Sequence, residues 1–281
     1  MEAIDAIMEV HKIFKTNNWI AKDTNEMAFD GFCQLFAKLE PEERKLILEL
    51  TSNYNWISHG EYQDKVIQAM QTISIDQIAN VTKIYFFPII KPEDESKNKS
   101  GAHLLYLIKA FKHLMPKYNH IPFSYLNTFE QIHNLRLTEN ERLFLIDDYI
   151  GSGETFEFCL TELKQNNTIL SSSVKIVCIA IQEETKFNLE TDGYLVLKTI
   201  IIKRGISDFN NVAIIKEKKN LMKAIEGHIP GAKSFSLGYN QTEALVTMMR
   251  TPDNTFPVFW KRFRKDGQYF EAPFARYEDN E

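Results

Sequence analysis

The stretch LFLIDDYIGSGET, residues 143–155, decides the fold of this chain. Its first four residues form a continuous apolar run, as in a central strand that is covered on both faces of a parallel sheet. The carboxylates of Asp147 and Asp148 follow at the carboxyl end of that strand, where open α/β sheets bind their ligands. The stretch therefore predicts a buried strand that ends at a binding site.

The loop after the acid pair has the composition of a phosphate cradle. Gly151, Ser152 and Gly153 allow a tight turn in which successive backbone N–H groups point at an anion. The hydroxyl of Thr155 lies at the start of the next helix, whose N-terminus attracts negative charge. Two carboxylates are poor partners for a phosphate but suit ribose hydroxyls or hydrated Mg²⁺. The ligand indicated is a sugar phosphate with a metal; the alternative is an ordinary strand-to-helix turn with surface acids.

Residues 146–155, IDDYIGSGET, resemble the phosphoribosyl-pyrophosphate (PRPP) motif of type I phosphoribosyltransferases, position by position and without a gap. By that resemblance Asp147 and Asp148 are the candidate catalytic and metal-binding acids, which contact the ribose hydroxyls directly or through Mg²⁺. The resemblance also implies that five consecutive residues hold the 5′-phosphate: Gly151, Ser152, Gly153, Glu154 and Thr155.

The composition limits the class of protein. A length of 281 residues and a hydrophobic content of 44% suit one large or two modest globular domains. A net charge of −5 argues against non-specific binding to nucleic acid or membranes as the main activity. No apolar stretch reaches the roughly 18 residues that span a bilayer, and the start MEAIDAIMEV lacks the basic segment of a signal peptide. We expect a cytoplasmic protein.

Cysteines and basic residues offer no separate site. Cys33, Cys159 and Cys178 lack metal-ligand spacing, and we interpret them as buried thiols. The only compact basic cluster is KRFRK (261–265), which is more typical of a solvated tail than of a nucleic-acid patch. Direct nucleic-acid binding is not expected.

The hydrophobic period changes along the chain. Residues 1 to about 75 show apolar residues three and four apart, as in helices, with one helix predicted to begin at Pro41. From about residue 81, short β-branched and aromatic runs alternate with helical stretches, which indicates a parallel sheet with right-handed crossovers. The predicted fold is an α/β, phosphoribosyltransferase-like parallel sheet flanked by helices, with an N-terminal all-helical domain.

Three segments follow from this pattern. They are a helical domain (1–75), a phosphoribosyltransferase-like domain (76–250) and a C-terminal extension packing on the core (251–281).

The resemblance implies further sites along the chain. A pyrophosphate-binding group is expected after the first sheet strand, at Lys97, Lys99, Ser100 and Gly101. The alternative is a solvated loop of mixed charge, because the acids of residues 93–95 oppose anion binding.

Two more candidates come from hypoxanthine-type members of the family. Ser124 and Tyr125 match a dipeptide on a mobile loop that closes over pyrophosphate, so they are a candidate lid. The segment IPGAKSFSLGYNQTE (229–243) is similar to the base-site segment, in which Phe235 would stack on a planar acceptor; the alternative is that Phe235 belongs to the core.

The stretch TPDNTFPVFW (251–260) resembles a signature of phosphoribosyltransferase-like proteins in bacterial conflict systems, including retron-linked antiphage defence. Two positions depart from the salvage enzymes. Gly151 replaces an aspartate that serves as acid or base at the purine, and Glu154 replaces a lysine. Binding of ribose phosphate is therefore better supported than nucleotide synthesis.

Three functions remain open. The first is a transferase-like protein that binds PRPP or a related ribose phosphate with Mg²⁺, as an effector or accessory in bacterial antiphage defence. The second is a catalytically retired PRPP or nucleotide sensor that regulates a protein partner on the N-terminal helical domain. The third is a purine-type salvage phosphoribosyltransferase. The resemblance makes a homo-oligomer, by default a dimer, the expected assembly.

Overall fold

The computed structural model describes residues 1–97 and 100–276. The α-helices are α1 Ala3–Thr16, α2 Asn25–Lys38, α3 Pro41–Ser52, α4 Tyr62–Gln71, α5 Ser100–Ala110, α6 Phe129–Asn134, α7 Glu154–Leu163, α8 Glu183–Thr191 and α9 Val212–Glu226. The strands are β1 Asn55–Trp56, β2 Lys83–Pro88, β3 Phe123–Tyr125, β4 Glu141–Ile150, β5 Val174–Gln182, β6 Leu195–Ile202, β7 Val246–Thr247, β8 Phe263–Lys265 and β9 Gln268–Phe270.

The main sheet has five strands in the order β3-β2-β4-β5-β6. β2 pairs in parallel with β3 and β4, and β4 pairs in parallel with β5. β4, the strand of the opening stretch, therefore lies in the centre of the sheet. The α/β fold with a largely parallel central sheet is confirmed.

Helices cover β4 on both sides, which explains its unbroken apolar run. Leu143 to Ile146 are fully buried. α7 packs with Leu143 and Leu145 in one apolar core through Phe156 and Cys159. α5 packs on β2 and β4, and α4 packs on β5. A strand that contributes side chains to two apolar layers cannot alternate with polar residues, so the polar residues of β4 are Glu141 and Arg142 at its start and the two aspartates toward its carboxyl end.

The chain forms two compact units. One contains residues 60–201 with the five-stranded sheet, and the other contains residues 1–59 and 202–281. In the second unit, aromatic side chains from both ends of the chain share a core; for example, the Phe32 and Phe274 rings lie 5.9 Å apart. These bounds differ from the predicted segments 1–75, 76–250 and 251–281, because α4 belongs to the sheet unit and buried residues between Ile206 and Phe274 pack with α1 to α3. Independent folding of the predicted segments stays a prediction.

Two smaller expectations change. The basic cluster is not a solvated tail: β8 pairs with β9, Phe263 is buried, and the Lys265 amine donates to the Lys38 carbonyl at 2.7 Å. Cys33 is only half-buried, whereas Cys159 and Cys178 are buried as expected. Burial raises the pKa of Cys159 to about 12, so this thiol stays protonated near neutral pH.

Shortening one buried side chain of the central strand tests the importance of this packing. We expect Leu145→Ala to lower the free energy of unfolding by about 2–5 kcal/mol, because Leu145 is fully buried and its removal leaves a cavity. Leu170→Ala is the matched control: its side chain is 63% exposed, and its substitution leaves stability nearly unchanged. Urea denaturation measures both, and equal losses would contradict the packing described.

Candidate functional site

The acid pair lies inside β4, just before the strand ends at Ile150. Side chains alternate along a strand, so Asp147 shares a face with Leu145 and Asp148 shares the opposite face with Ile146. Both carboxylates are partly exposed, whereas the four residues before them are fully buried. The acids therefore lie where the fully buried part of β4 gives way to partly exposed residues near its carboxyl end.

Each carboxylate accepts a hydrogen bond from a hydroxyl on a different helix. The Ser100 Oγ, at the first residue of α5, donates to the Asp147 Oδ1 at 2.6 Å. The Tyr62 hydroxyl, at the first residue of α4, donates to the Asp148 Oδ2 at 2.8 Å. The backbone N–H of Asp148 also donates to the Asp147 Oδ1, at 2.9 Å. Both acids are thus held in defined orientations before any ligand binds.

The pair has the electrostatics of a cation site. Desolvation, and then the neighbouring charge of Asp148, raise the pKa of Asp147 well above its usual value. A divalent cation would offset both effects. Within residues 1–97 and 100–276, no group of three or more His, Cys, Asp or Glu side chains could enclose a metal. Two carboxylates fit Mg²⁺, which is usually held by one or two carboxylates together with substrate oxygens and water.

The loop after β4 leads directly into α7. Gly153 is the N-cap residue of α7 and has a left-handed conformation (φ 83°, ψ −5°) that favours glycine. The Thr185 Oγ1, in the first turn of α8, donates to the Gly151 carbonyl at 2.5 Å. A Cβ at Gly153 would lie 3.0 Å from the Thr185 methyl group. Thr185 of α8 therefore lies against the loop at both Gly151 and Gly153 and holds it in place.

Glu154 is compensated by a lysine that the sequence did not single out. The Lys91 amine lies 2.6 Å from the Glu154 Oε1, and both side chains are about one-quarter to one-third exposed. The same amine lies 4.6 Å from the centre of the Phe158 ring. The negative charge at this position, where the salvage enzymes have a lysine, is therefore paired with the cation of Lys91, which follows β2.

The model of the PRTase-CE family matches residues 29–276. The chain belongs to the PRTase-CE family. Among solved structures, it is similar to hypoxanthine-guanine phosphoribosyltransferase from Schistosoma mansoni in complex with IMP, with 15% identity and a TM-score of 0.31. The alignment covers 52% of this chain and 65% of that chain, which is less than two thirds of its length. No curated protein matches.

The PRTase-CE chain brings some of the predicted pyrophosphate residues to the acid pair. Ser100 bonds to Asp147, and Gly101 packs so closely that a Cβ there would lie 2.7 Å from the Ile146 carbonyl oxygen. Lys97 instead pairs with Asp94 at 2.6 Å, and its side chain is 61% exposed. Lys99 lies outside the described residues. The pyrophosphate role of this group stays a prediction.

The acids of the same loop are engaged elsewhere. The Glu95 carboxylate accepts the N–H of Phe129 at the start of α6, and Asp94 accepts from Lys97. Two of the three acids that argued against anion binding therefore carry out structural tasks. The alternative, a solvated loop of mixed charge, stays open.

The candidate lid residues lie on a strand. Ser124 and Tyr125 belong to β3, the edge strand paired with β2, and not to a loop. The Tyr125 ring stacks on Phe86 with 5.5 Å between ring centres, and burial raises its pKa to about 12. Their role as a lid stays a prediction.

The candidate stacking residue belongs to the other compact unit. Phe235 is half-buried, its ring centre lies 5.4 Å from that of Trp260, and the Lys261 amine lies 5.4 Å from it. These contacts account for its packing in residues 1–59 and 202–281. Stacking on an acceptor base stays a prediction.

In the part of the chain that the structure describes, no helix is both long and apolar enough to cross a bilayer.

Thr185 tests the fixed geometry of the loop. We expect Thr185→Val to lower the free energy of unfolding by about 1–3 kcal/mol, because the buried Gly151 carbonyl loses a hydroxyl donor. Thr185→Ser keeps the hydroxyl and loses only the methyl group, so it is the matched control with a smaller loss. Chemical denaturation gives both values. A valine variant as stable as the unaltered protein, or a serine variant less stable than the valine variant, would show that the methyl contact holds the loop more than the hydrogen bond does.

Proposed function

We propose that this protein binds PRPP or a related ribose phosphate with Mg²⁺ and acts as an effector or accessory in bacterial antiphage defence. The observation that carries the binding proposal is the placement of the acid pair, held by Ser100 and Tyr62, directly before the loop that leads into α7. Membership of a phosphoribosyltransferase-like family supports it. The defence role rests on the resemblance of residues 251–260 to proteins of bacterial conflict systems.

The chemistry of the site follows from its groups. The backbone N–H groups at the start of α7 would bind the 5′-phosphate, because a helix N-terminus favours negative charge. Asp147 and Asp148 would hold the ribose hydroxyls and Mg²⁺, and the metal would neutralise charge on the phosphates. Lys91 would add a positive charge beside the loop while Glu154 keeps it in place. Such a site works by orientation and electrostatics.

A specific observation favours the sensor as a second candidate. Gly151 provides no acid or base for a departing or attacking nucleobase, and its carbonyl is bonded to Thr185. The site then binds the sugar phosphate without a side chain at this position to assist transfer. In that case occupancy of the site regulates a protein partner. Purine salvage is the third candidate, and the same observation counts against it.

Ligand-induced stabilisation tests the site. We expect PRPP with Mg²⁺ to raise the melting temperature, because a ligand that binds only the folded state adds about 2.7 kcal/mol at a concentration 100 times its Kd. The Asp147→Asn, Asp148→Asn variant should lose this shift, whereas Asp76→Asn, at an exposed acid of the same unit, should keep it. An equal shift in all three proteins would place the ligand elsewhere.

The lysine–glutamate pair gives a second test. We expect Lys91→Met to weaken PRPP binding by about tenfold, or ~1.4 kcal/mol, because it removes a cation beside the loop and the ion pair with Glu154. The Lys91→Met, Glu154→Gln variant should regain part of the affinity, since the negative charge at position 154 is gone. Isothermal titration calorimetry measures both. If the double variant binds no better than the single one, Glu154 does not act on the phosphate.

Turnover separates the candidate functions. The protein is incubated with PRPP, Mg²⁺ and a panel of nucleobases, and pyrophosphate release is measured. Release that Asp148→Asn abolishes supports an enzyme, and nucleotide formation from a purine supports salvage. Saturable PRPP binding without release supports the sensor. A reverse transcriptase or another defence component in the gene neighbourhood supports the antiphage role, and a neighbourhood of nucleotide metabolism counts against it.

A further inference from the structure

Tyr62 reaches the acid pair from a distant part of the sequence. It is the first residue of α4, lies 86 positions before Asp148, and donates its hydroxyl to the Asp148 Oδ2 at 2.8 Å. Its side chain is only 1% exposed. The bond therefore joins a buried phenol to a carboxylate that faces the site.

The position of this phenol is fixed by its surroundings within the sheet unit. α4 packs on α5 and on β5. The Tyr62 ring centre lies 6.0 Å from that of His103, which is on α5 one turn after Ser100. The Lys65 carbonyl, in the first turn of α4, accepts from the Thr199 Oγ1 of β6 at 2.7 Å. These contacts hold the Tyr62 ring, so its hydroxyl has a defined position relative to Asp148.

We propose that Tyr62 is a positioning residue that orients the Asp148 carboxylate for Mg²⁺ and ribose. A carboxylate at the end of a strand rotates about its terminal bond, and a donor fixed on one oxygen selects one rotation of the group. A hydrogen bond from a buried donor to a charged acceptor is also stronger than one between neutral groups. This proposal rests on the proposed function, because the orientation of the Asp148 carboxylate matters only if the site binds ribose phosphate with Mg²⁺.

The alternative role of Tyr62 is purely structural, and the chain offers a matched control for it. Tyr118 is fully buried in the same unit, and its hydroxyl donates to the Met70 carbonyl of α4 at 2.6 Å. Tyr62→Phe and Tyr118→Phe each remove one buried phenol hydroxyl bonded within the sheet unit. Only the first removes a donor to the acid pair.

The experiment measures PRPP binding by isothermal titration calorimetry over a series of Mg²⁺ concentrations, with the full chain. We expect Tyr62→Phe to raise the Mg²⁺ concentration needed for half-maximal PRPP binding by about 10- to 100-fold, as for other partners that orient metal ligands. Tyr118→Phe should leave it unchanged. Melting temperatures of the two variants without ligand establish that both fold and how much stability each loses.

A double-mutant cycle shows whether Tyr62 acts through Asp148. In an Asp148→Asn background, Tyr62→Phe should cause little further loss of PRPP affinity, because the carboxylate that it orients is absent. Losses that add independently would show that Tyr62 acts by another route and would overturn the proposal.

The remaining outcomes are distinct. If the unaltered protein binds PRPP and Tyr62→Phe binds it with the same Mg²⁺ dependence, the positioning role is wrong and the proposed function stands. If Tyr118→Phe shifts the Mg²⁺ dependence as far as Tyr62→Phe does, the effect is structural and the proposal is again wrong. If the unaltered protein does not bind PRPP at any Mg²⁺ concentration, the proposed function fails and the proposal fails with it.

Discussion

Two adjacent carboxylates on the central strand of an apolar sheet are the constraint on which the site depends. Asp147 and Asp148 repel each other, and each loses solvation beside the core, so that the pKa of Asp147 rises well above its usual value. Each carboxylate therefore needs a hydrogen-bond donor of its own. The chain meets this requirement with hydroxyl donors from two helices, Ser100 and Tyr62.

The loop between β4 and α7 depends on a second set of contacts from elements that follow other strands. Thr185, directly after β5, holds the Gly151 carbonyl, and Lys91, after β2, pairs with Glu154. In a parallel sheet all these strands end at the same edge, so the elements that follow them meet there. The loop is therefore supported by residues far apart in sequence. The charge of Glu154 in this loop is paired with that of Lys91.

The site contains groups that can bind a ligand, but position 151 has no side chain that can transfer a proton. In the proposed function, a ribose phosphate is held by the acid pair and by the turn that Gly153 caps. Gly151 contributes only backbone atoms, which can orient a ligand but cannot exchange a proton. Membership of the PRTase-CE family is consistent with a phosphoribosyltransferase-like protein and leaves the reaction to experiment.

The sequence by itself determined four of the five strands of the main sheet, all but β3, and the order of the motif. Short runs rich in β-branched and aromatic residues at 81–90, 174–181 and 194–203 coincide with β2, β5 and β6, and the helix predicted from Pro41 begins there. These features are local: they follow from side-chain period, from the fixed φ of proline and from the flexibility of glycine. The acid pair and the loop were recognisable for the same reason.

Only the tertiary structure decided which side chains meet the motif. Tyr62, Lys91 and Thr185 carry no sequence signal, because a lone tyrosine, lysine or threonine is common and its role depends on contacts made across the fold. The same reason explains why α4 belongs with the sheet and why the C-terminal residues pack with α1 to α3. Periodicity predicts that a helix has an apolar face, but the partner of that face is chosen by the packing of the whole chain.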